Sequence, residues 1–485
     1  MVCGDRPQPK RGHAKLAKVG FLALAAKWFW DTKMGDSDFT DEARSRIRNV
    51  EAVLAESHQL VSAGLVTTEE AASSAAGKFR EANVDVLVVC CAMWSEDQPI
   101  LRVLEELKDV PLLLWCWTPG TTLPERMTAL DLIKWSGPVG AQQISGALRR
   151  SGRKFAFVLG SAAEKETVQE IQDFIVAAAA ARGLKHAKIG VMPYRYNVMT
   201  NTWVDEFDLR SKLGVDVTYF SVNELRSSSG AVKDEEVKSY IDDLQGIRFS
   251  SGVSPEGLSQ AARVSLGLAR IINSLHLDAA SIGDCNDELH AVLNCRPCLY
   301  LPSVFDRGIV VGMEGDLLGV VAQLILSRLS GRPTMFTEIF TYDELHNQIL
   351  VGHPGMQDVR LAENRSAVTV TPDYEYPQET AGVWMAFSVR PGPVTLLSIA
   401  TTQRGFHFVV TKGEALRSDG KLQGYPHALV KLHTPLRSFF QASTEVGTTQ
   451  HWALAPGDIT GRVLKLASIL GLECTMVGVD GRQET

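Results

Sequence analysis

The sequence has no unbroken apolar run approaching the roughly 20 residues that a bilayer crossing needs, so it reads as a chain without a membrane span. It has no excess of positive charge either. A formal net charge of -7 gives a surface that neither nucleic acid nor an anionic membrane would attract, and a small or neutral ligand fits it better. There is no repeat at a solenoid period and no low-complexity tract, which removes repeat arrays and tails from consideration. Cysteine is sparse. The 8 cysteines in 485 residues include Cys90, Cys91 and Cys116 inside apolar runs, as expected of reduced core thiols in a cytosolic protein. Cys295 and Cys298 form a CRPC motif, but no second CxxC completes a zinc site. Pro297 and the apolar CLYL around it suggest entry into a strand.

What is present is the composition of a globular enzyme: 45% hydrophobic, 22% charged and 7% aromatic residues. A chain this long exceeds one core and divides into two to four domains. The basic start MVCGDRPQPKRGHAKLAK followed by VGFLALAA imitates a secretory signal. Lys27 and the bulky WFW interrupt it, so the run reads as a first strand, and residues 1–13 read as a flexible arm.

From there short apolar strands alternate with helices: VGFLAL (19–24), a helix near 40–63, VDVLVVCC (84–91), a helix near 98–107, PLLLWCW (111–117), a helix near 140–151 and KFAFVLG (154–160). Strands apolar on both faces and spaced by helices predict a doubly wound parallel sheet. In such folds ligands meet the loops beyond the carboxyl ends of strands, which puts Met93, Trp94, Ser95 and Trp117 at a candidate rim. The alternative is that these aromatics only close the top of a core.

After an Ala-rich helix near 164–182 the alternation resumes with KIGVMPY (188–194), DVTYFSV (216–222), a helix over 256–276, AASIGD (279–284), CLYLPS (298–303) and GIVVGME (308–314), then a helix over 316–330 stopped by Gly331 and Pro333. Residues 366–413 change character, to short alternating segments separated by Pro and Gly, as an antiparallel sheet or barrel requires. The expected organisation is an α/β domain over 1–183, a second α/β domain over 184–330 and a β-rich, barrel-like domain over 331–485.

The chemistry concentrates in 311–355, where Glu314, Glu338 and His353 stand beside apolar runs. A charged group next to a core needs a partner or a task. Glu and His suit Mn, Fe, Co, Ni or Zn, and paired carboxylates at a metal can also move protons. The helix after Glu314 leads back across the sheet, so MFTEIF can return as a strand that brings Glu338 near Glu314. Glycines flank His353 in VGHPG, and His451, in GTTQHWALAPGD, precedes an apolar strand. No short metal motif covers the set. Helix-capping acids and a hydrogen-bonded loop histidine are the alternative.

Three segments carry a resemblance: HWALAPGDITGRVLKLASILGLECTMV, then LHLDAASIGDC through CRPCLYLPSVFDRGIVVGMEGDLLGVVAQLILSRLSGRP, and GPVGAQQISGALRRSGRKFAFVLGSA. In order and over most of the chain they resemble the L-fucose isomerase and L-arabinose isomerase superfamily. The resemblance implies two α/β domains followed by a β-rich one. It implies that Glu314 and Glu338 are both metal ligands and catalytic acid or base groups, and that His451 is a ligand. A histidine at the position of His353 is a further ligand in the arabinose branch. Mn2+ is the family's usual ion, the reaction is aldose–ketose exchange through an enediolate, and neighbouring subunits of a homo-oligomer complete each pocket.

Two departures concern the sugar. The chain reads GDCNDE where the fucose branch has a Cys-Trp motif, and MPYRYN (192–197) differs from the arabinose branch. Trp94, Tyr194 and Arg195 are therefore the candidate substrate-binding residues, suited to a modified or acidic monosaccharide, with a surface ion pair as the alternative for Arg195. Two further readings stay open: a sugar-binding or regulatory module without turnover, and a metal-dependent epimerase or hydro-lyase using the same enediolate.

Overall fold

In the computed structural model, residues 17–31, 38–375, 382–418, 420–478 and 483–484 are described. The arm expected at 1–13 lies outside them. The chain forms two compact units, one over Lys15–Arg182 and one over Gly183–Thr485.

The first unit is built on five parallel strands in the order Gln59–Val66, Lys18–Leu24, Val86–Cys91, Leu112–Trp117, Ala156–Gly160. VLVVCC and LLLWCW are buried at every position, because helices cover a parallel sheet on both faces. The helix expected over 40–63 ends at Ala55, and Gln59–Val66 is an edge strand. QLVSAGLV lacks a strict alternation. Gly64 takes a φ of 64° and its amide donates to Ser62 Oγ at 2.8 Å, while the register against Lys18–Leu24 slips between Phe21 and Ala23. Pairing with the neighbouring strand overrides the local pattern there. The helix that follows, Glu69–Ala82, starts where the Thr68 hydroxyl accepts from the Ala71 amide.

The second unit contains a four-stranded parallel sheet in the order Val310–Met313, Ala279–Ile282, Lys188–Met192, Asp216–Tyr219. Its other large sheet has eight strands; six of them, in the order Gly392–Thr402, His451–Pro456, Met335–Asp343, Gln348–Gly352, His427–Leu432, Gly405–Leu416, close on themselves because the first also pairs with the sixth, and Glu473–Val477 and Gln483–Glu484 continue from the sixth. The result is the barrel expected from the Pro- and Gly-punctuated sequence. The fold is α/β with parallel sheets followed by a β-rich barrel. CLYLPS is not a strand; 298–301 is a buried irregular run, and Pro302 opens the short helix Pro302–Phe305. Burial alone made that run apolar, and an apolar run of this length does not distinguish a strand from other buried backbone.

Between the parallel sheet and the barrel lies Leu317–Ser330, a helix buried nearly all round. Asp316 caps it, its Oδ1 accepting from the amides of Leu318 at 2.8 Å and Gly319 at 3.1 Å, and Gly331 ends it with a φ of 63°. The helix ties the carboxyl end of the Val310–Met313 strand to the start of the Met335–Asp343 strand. That connection brings two distant stretches of acidic sequence to one place.

Candidate metal centre

Glu314 follows the Val310–Met313 strand and takes a φ of 62°. For a residue with a Cβ this left-handed conformation costs about 1–2 kcal/mol, so the surroundings must hold it. The Glu314 amide donates to Asp284 Oδ1 at 2.9 Å, in the loop beyond the adjacent Ala279–Ile282 strand. Gly315 follows with a φ of 66°, and a Cβ there would lie 2.7 Å from the Tyr194 carbonyl oxygen. Only glycine fits that turn.

Glu338 sits in the Met335–Asp343 strand, directly opposite His451 on one side and Gly352 on the other. Residues paired across antiparallel strands project from the same face, with Cβ atoms about 4.5–5.5 Å apart. Register thus places Glu338 and His451 side by side, with His353 one step beyond Gly352. Phe336, two residues before Glu338 and fully buried, packs against both imidazoles, with ring centroids 5.0 Å from His353 and 4.6 Å from His451.

The four side chains converge, each offering one donor atom, all within 4.8 Å of one another. His451 Nε2 lies 3.1 Å from Glu314 Oε2 and 3.6 Å from Glu338 Oε1, and His353 Nε2 lies 3.7 Å from Glu314 Oε1. Donors about 2.0–2.2 Å from one ion are at most about 4.4 Å apart, so the set is close to what a single cation requires.

The tautomers point the same way. His353 Nδ1 faces the Pro354 carbonyl oxygen at 2.7 Å, and His451 Nδ1 faces Asp316 Oδ2 at 2.7 Å. Both partners accept only, so both Nδ1 atoms carry hydrogen, and in the neutral ring each Nε2 keeps its lone pair. These two Nε2 atoms are buried and make no hydrogen bond of acceptable geometry. A bare lone pair facing the Glu314 and Glu338 carboxylates is unfavourable, and either a proton on each Nε2 or one cation shared by both would relieve it. The donors fit a divalent transition metal ion.

The charges agree. Burial opposes ionisation of Glu314, but the imidazoles of His353 and His451 outweigh it and hold the carboxyl well below the usual range. Burial likewise lowers the basicity of His451, yet Asp316 and Glu314 push its pKa up to about 10. For His353, Glu314 and Glu338 raise the pKa against burial and against the neighbouring His451. Protons on the imidazoles thus do for these carboxylates what a cation would do. The histidines are closed off from solvent, while the Glu314 and Glu338 side chains keep 16% and 30% of their surface, which leaves one open side for a small molecule.

The loop carrying Tyr194 and Arg195 runs beside this centre, its backbone against Gly315. Asn201 Nδ2 in the same loop donates to Gln450 Oε1 at 2.9 Å, next to His451. Arg195 stacks its guanidinium 4.1 Å above the Trp203 ring, and Tyr194 is exposed. Trp94 belongs to the other unit, where its Nε1 donates to Gln143 Oε1 at 2.9 Å and its ring meets Trp28 and Phe29 edge-on.

The sequence reading missed Asp316, Asp284 and Arg296. Asp316 before LLGVV reads as a helix cap, and it is one; its bond to His451, 135 residues away, has no local signature. Arg296 lies inside CRPC, a motif weighed only for its sulfurs. Cys285 was part of the GDCNDE departure, and its Sγ is 3.7 Å from Glu314 Oε1.

No family model matches the chain. Among curated proteins, sulfoquinovose isomerase from Priestia aryabhattai is 23% identical over 411 residues, covering 84% of this chain and 89% of that protein. Sulfoquinovose isomerase from Alkalicoccus urumqiensis is 22% identical over 386 residues, 79% of this chain and 84% of its own length. L-Arabinose isomerase from Nocardioides sp. (strain ATCC BAA-499 / JS614) is 26% identical over 358 residues, 70% of each chain. These relatives support a sugar isomerase family at low identity, and the chain is an enzyme of the isomerase class.

Proposed function

We propose that this isomerase interconverts the aldose and ketose forms of a monosaccharide bearing an acidic substituent, with a divalent metal ion held by Glu314, Glu338, His353 and His451. The observation that carries the reading is the convergence of two carboxylates on two buried imidazoles whose Nε2 atoms face them. The open side of Glu314 and Glu338 fits the site to the carbonyl end of a sugar.

A carbon-bound proton next to a carbonyl is far too weakly acidic for an unaided carboxylate. Bound there, a divalent ion such as Mn2+ would supply the positive charge that stabilises the developing enediolate. One of Glu314 and Glu338 removes the proton from carbon and delivers a proton to the adjacent carbon, while the other moves the hydroxyl proton from one sugar oxygen to its neighbour. His353 and His451 are held by Pro354 and Asp316 in the tautomer that faces the site, so neither needs to turn during the reaction. The acidic substituent is read by Arg195 and Tyr194, in the loop whose backbone lies against Gly315. Supporting this, relatives spanning most of the chain are named for sulfoquinovose, a sulfonated sugar. The working form is a homo-oligomer.

The test uses EDTA-stripped protein with Mn2+ restored, offered neutral and acidic aldoses and ketoses in D2O. Deuterium should enter at the carbon next to the carbonyl with one acidic sugar. Glu314→Gln and Glu338→Gln should abolish that exchange. Exchange that survives metal removal, or binding of every sugar with no exchange in any, would end the proposal.

A further inference from the structure

We infer that Asp284, braced by Arg296, is a positioning residue that fixes the backbone of Glu314 so that its carboxylate reaches the metal centre. The inference rests on the proposed function, in which Glu314 is a metal ligand. A non-glycine residue at a φ of 62° followed by Gly315 at 66° is an unfavourable pair, and left alone it would relax toward the right-handed region. Relaxation would swing the carboxylate away from both imidazoles.

The amide of residue 314 does not donate to a backbone carbonyl. It donates to a side chain, Asp284 Oδ1, at 2.9 Å. The other carboxylate oxygen, Asp284 Oδ2, accepts from Arg296 Nη1 at 2.8 Å. Arg296 is itself held from behind: its Nε and Nη2 grip the two oxygens of Asp373 at 2.8 and 2.7 Å, and Nη1 also donates to Glu375 Oε2 at 2.9 Å. The ring of Trp384 lies 5.0 Å from its guanidinium carbon. Arg296 and Asp284 are each 1% exposed and Asp373 is 2% exposed. A two-pronged arginine–carboxylate pair with no solvent around it has one geometry. Asp284 therefore cannot drift, and the amide it accepts from is pinned.

The arrangement also joins distant parts of the second unit. Asp284 follows a strand of the parallel sheet, Arg296 lies in the CRPC segment, and Asp373 and Glu375 follow the Thr369–Pro372 strand beside the barrel. A purely structural ion pair would not need one of its oxygens aimed at the amide of a metal-site residue.

The test compares wild type, Asp284→Ala and Asp284→Asn, each as full-length apo-protein, by calorimetric titration with Mn2+, by thermal melting without metal and by deuterium exchange of the sugar. Asp284→Ala removes both the ion pair and the acceptor for the Glu314 amide, and should weaken Mn2+ binding about 10–100-fold, as loss of a group supporting a ligand does. Asp284→Asn keeps an acceptor oxygen for that amide but loses the ion pair with Arg296. It should melt earlier, as Asp284→Ala does, yet bind Mn2+ within a few-fold of wild type. Metal affinity then follows the acceptor while melting follows the ion pair. Equal Mn2+ affinity in wild type and Asp284→Ala would overturn the inference, as would equal losses of affinity in the two variants. If Asp284→Ala does not fold, Asp284→Asn decides alone: an affinity loss approaching 10-fold would refute the positioning role. A wild type that binds no Mn2+ would instead remove the proposed function, and this inference with it.

Discussion

Replacing Asp316 with Asn separates the two tasks this side chain performs. Its Oδ1 caps the Leu317–Ser330 helix, and its Oδ2 accepts from His451 Nδ1 at 2.7 Å. Asn retains the capping oxygen, so the loss of about 1 kcal/mol expected from an uncapped helix is avoided. The second oxygen becomes an NH2 group facing an N–H. To escape, the His451 ring must rotate or carry its hydrogen on Nε2, and either change withdraws the lone pair from the centre. Loss of such a supporting carboxylate weakens metal binding about 10–100-fold, equivalent to about 1.4–2.8 kcal/mol. The apo-protein supplies a second readout. Asp316 and Glu314 raise His451 from 6.5 to about 10. A raised imidazole contributes stability that is fully present below the unfolded value of about 6.5 and is lost as pH rises through the folded value. Wild-type apo-protein should therefore melt progressively earlier between pH 6.5 and about 10. In Asp316→Asn that dependence should shrink, because the larger of the two partners is gone. Isothermal titration with Mn2+ and melting curves across this range measure both effects. Undiminished Mn2+ affinity in Asp316→Asn would show that His451 needs no partner to present its nitrogen, and the tautomer argument would fail.

Phe336→Ala should destabilise the protein by about 3–5 kcal/mol, the usual loss for a large buried aromatic, and should weaken metal binding because the ring packs on both histidines; denaturant unfolding with and without Mn2+ checks it. Gly315→Ala forces a Cβ to 2.7 Å from the Tyr194 carbonyl oxygen at a φ of 66°, so it should lose more than about 1 kcal/mol and reduce kcat, read from melting and steady-state rates. Arg195→Ala should raise KM for an acidic sugar about tenfold, the loss of a charge-assisted hydrogen bond, while leaving kcat and the KM of its neutral counterpart unchanged. A uniform KM rise for both sugars would remove Arg195 from recognition of the charge.

The four side chains that converge were picked out in the sequence partly by local position, with Glu314 at the end of an apolar strand, His353 between glycines and His451 before a second apolar run, and their proposed ligand roles came from the resemblance. Only the approach of Glu338 to Glu314 was expected from the helix between them, which leads the chain back into MFTEIF; the positions of His353 and His451 are set by strand pairing, Glu338 lying opposite Gly352 and His451. The supporting side chains were not legible, for a physical reason. Asp316 meets His451, and Arg296 meets Asp373, through contacts 135 and 77 residues apart, and nothing in the local sequence marks an acid as having two customers. The same limit explains the Gln59–Val66 edge strand, whose conformation is decided by the neighbour it pairs with. Local pattern thus finds groups that must face a site, whereas the groups that aim them look like ordinary caps and ion pairs. Burial separates the two cases once the fold is known: Asp284, Arg296 and Asp316 are all at most 1% exposed. Charges enclosed so completely persist only where their partners are fixed, and here two of those partners are the Glu314 backbone and the His451 ring.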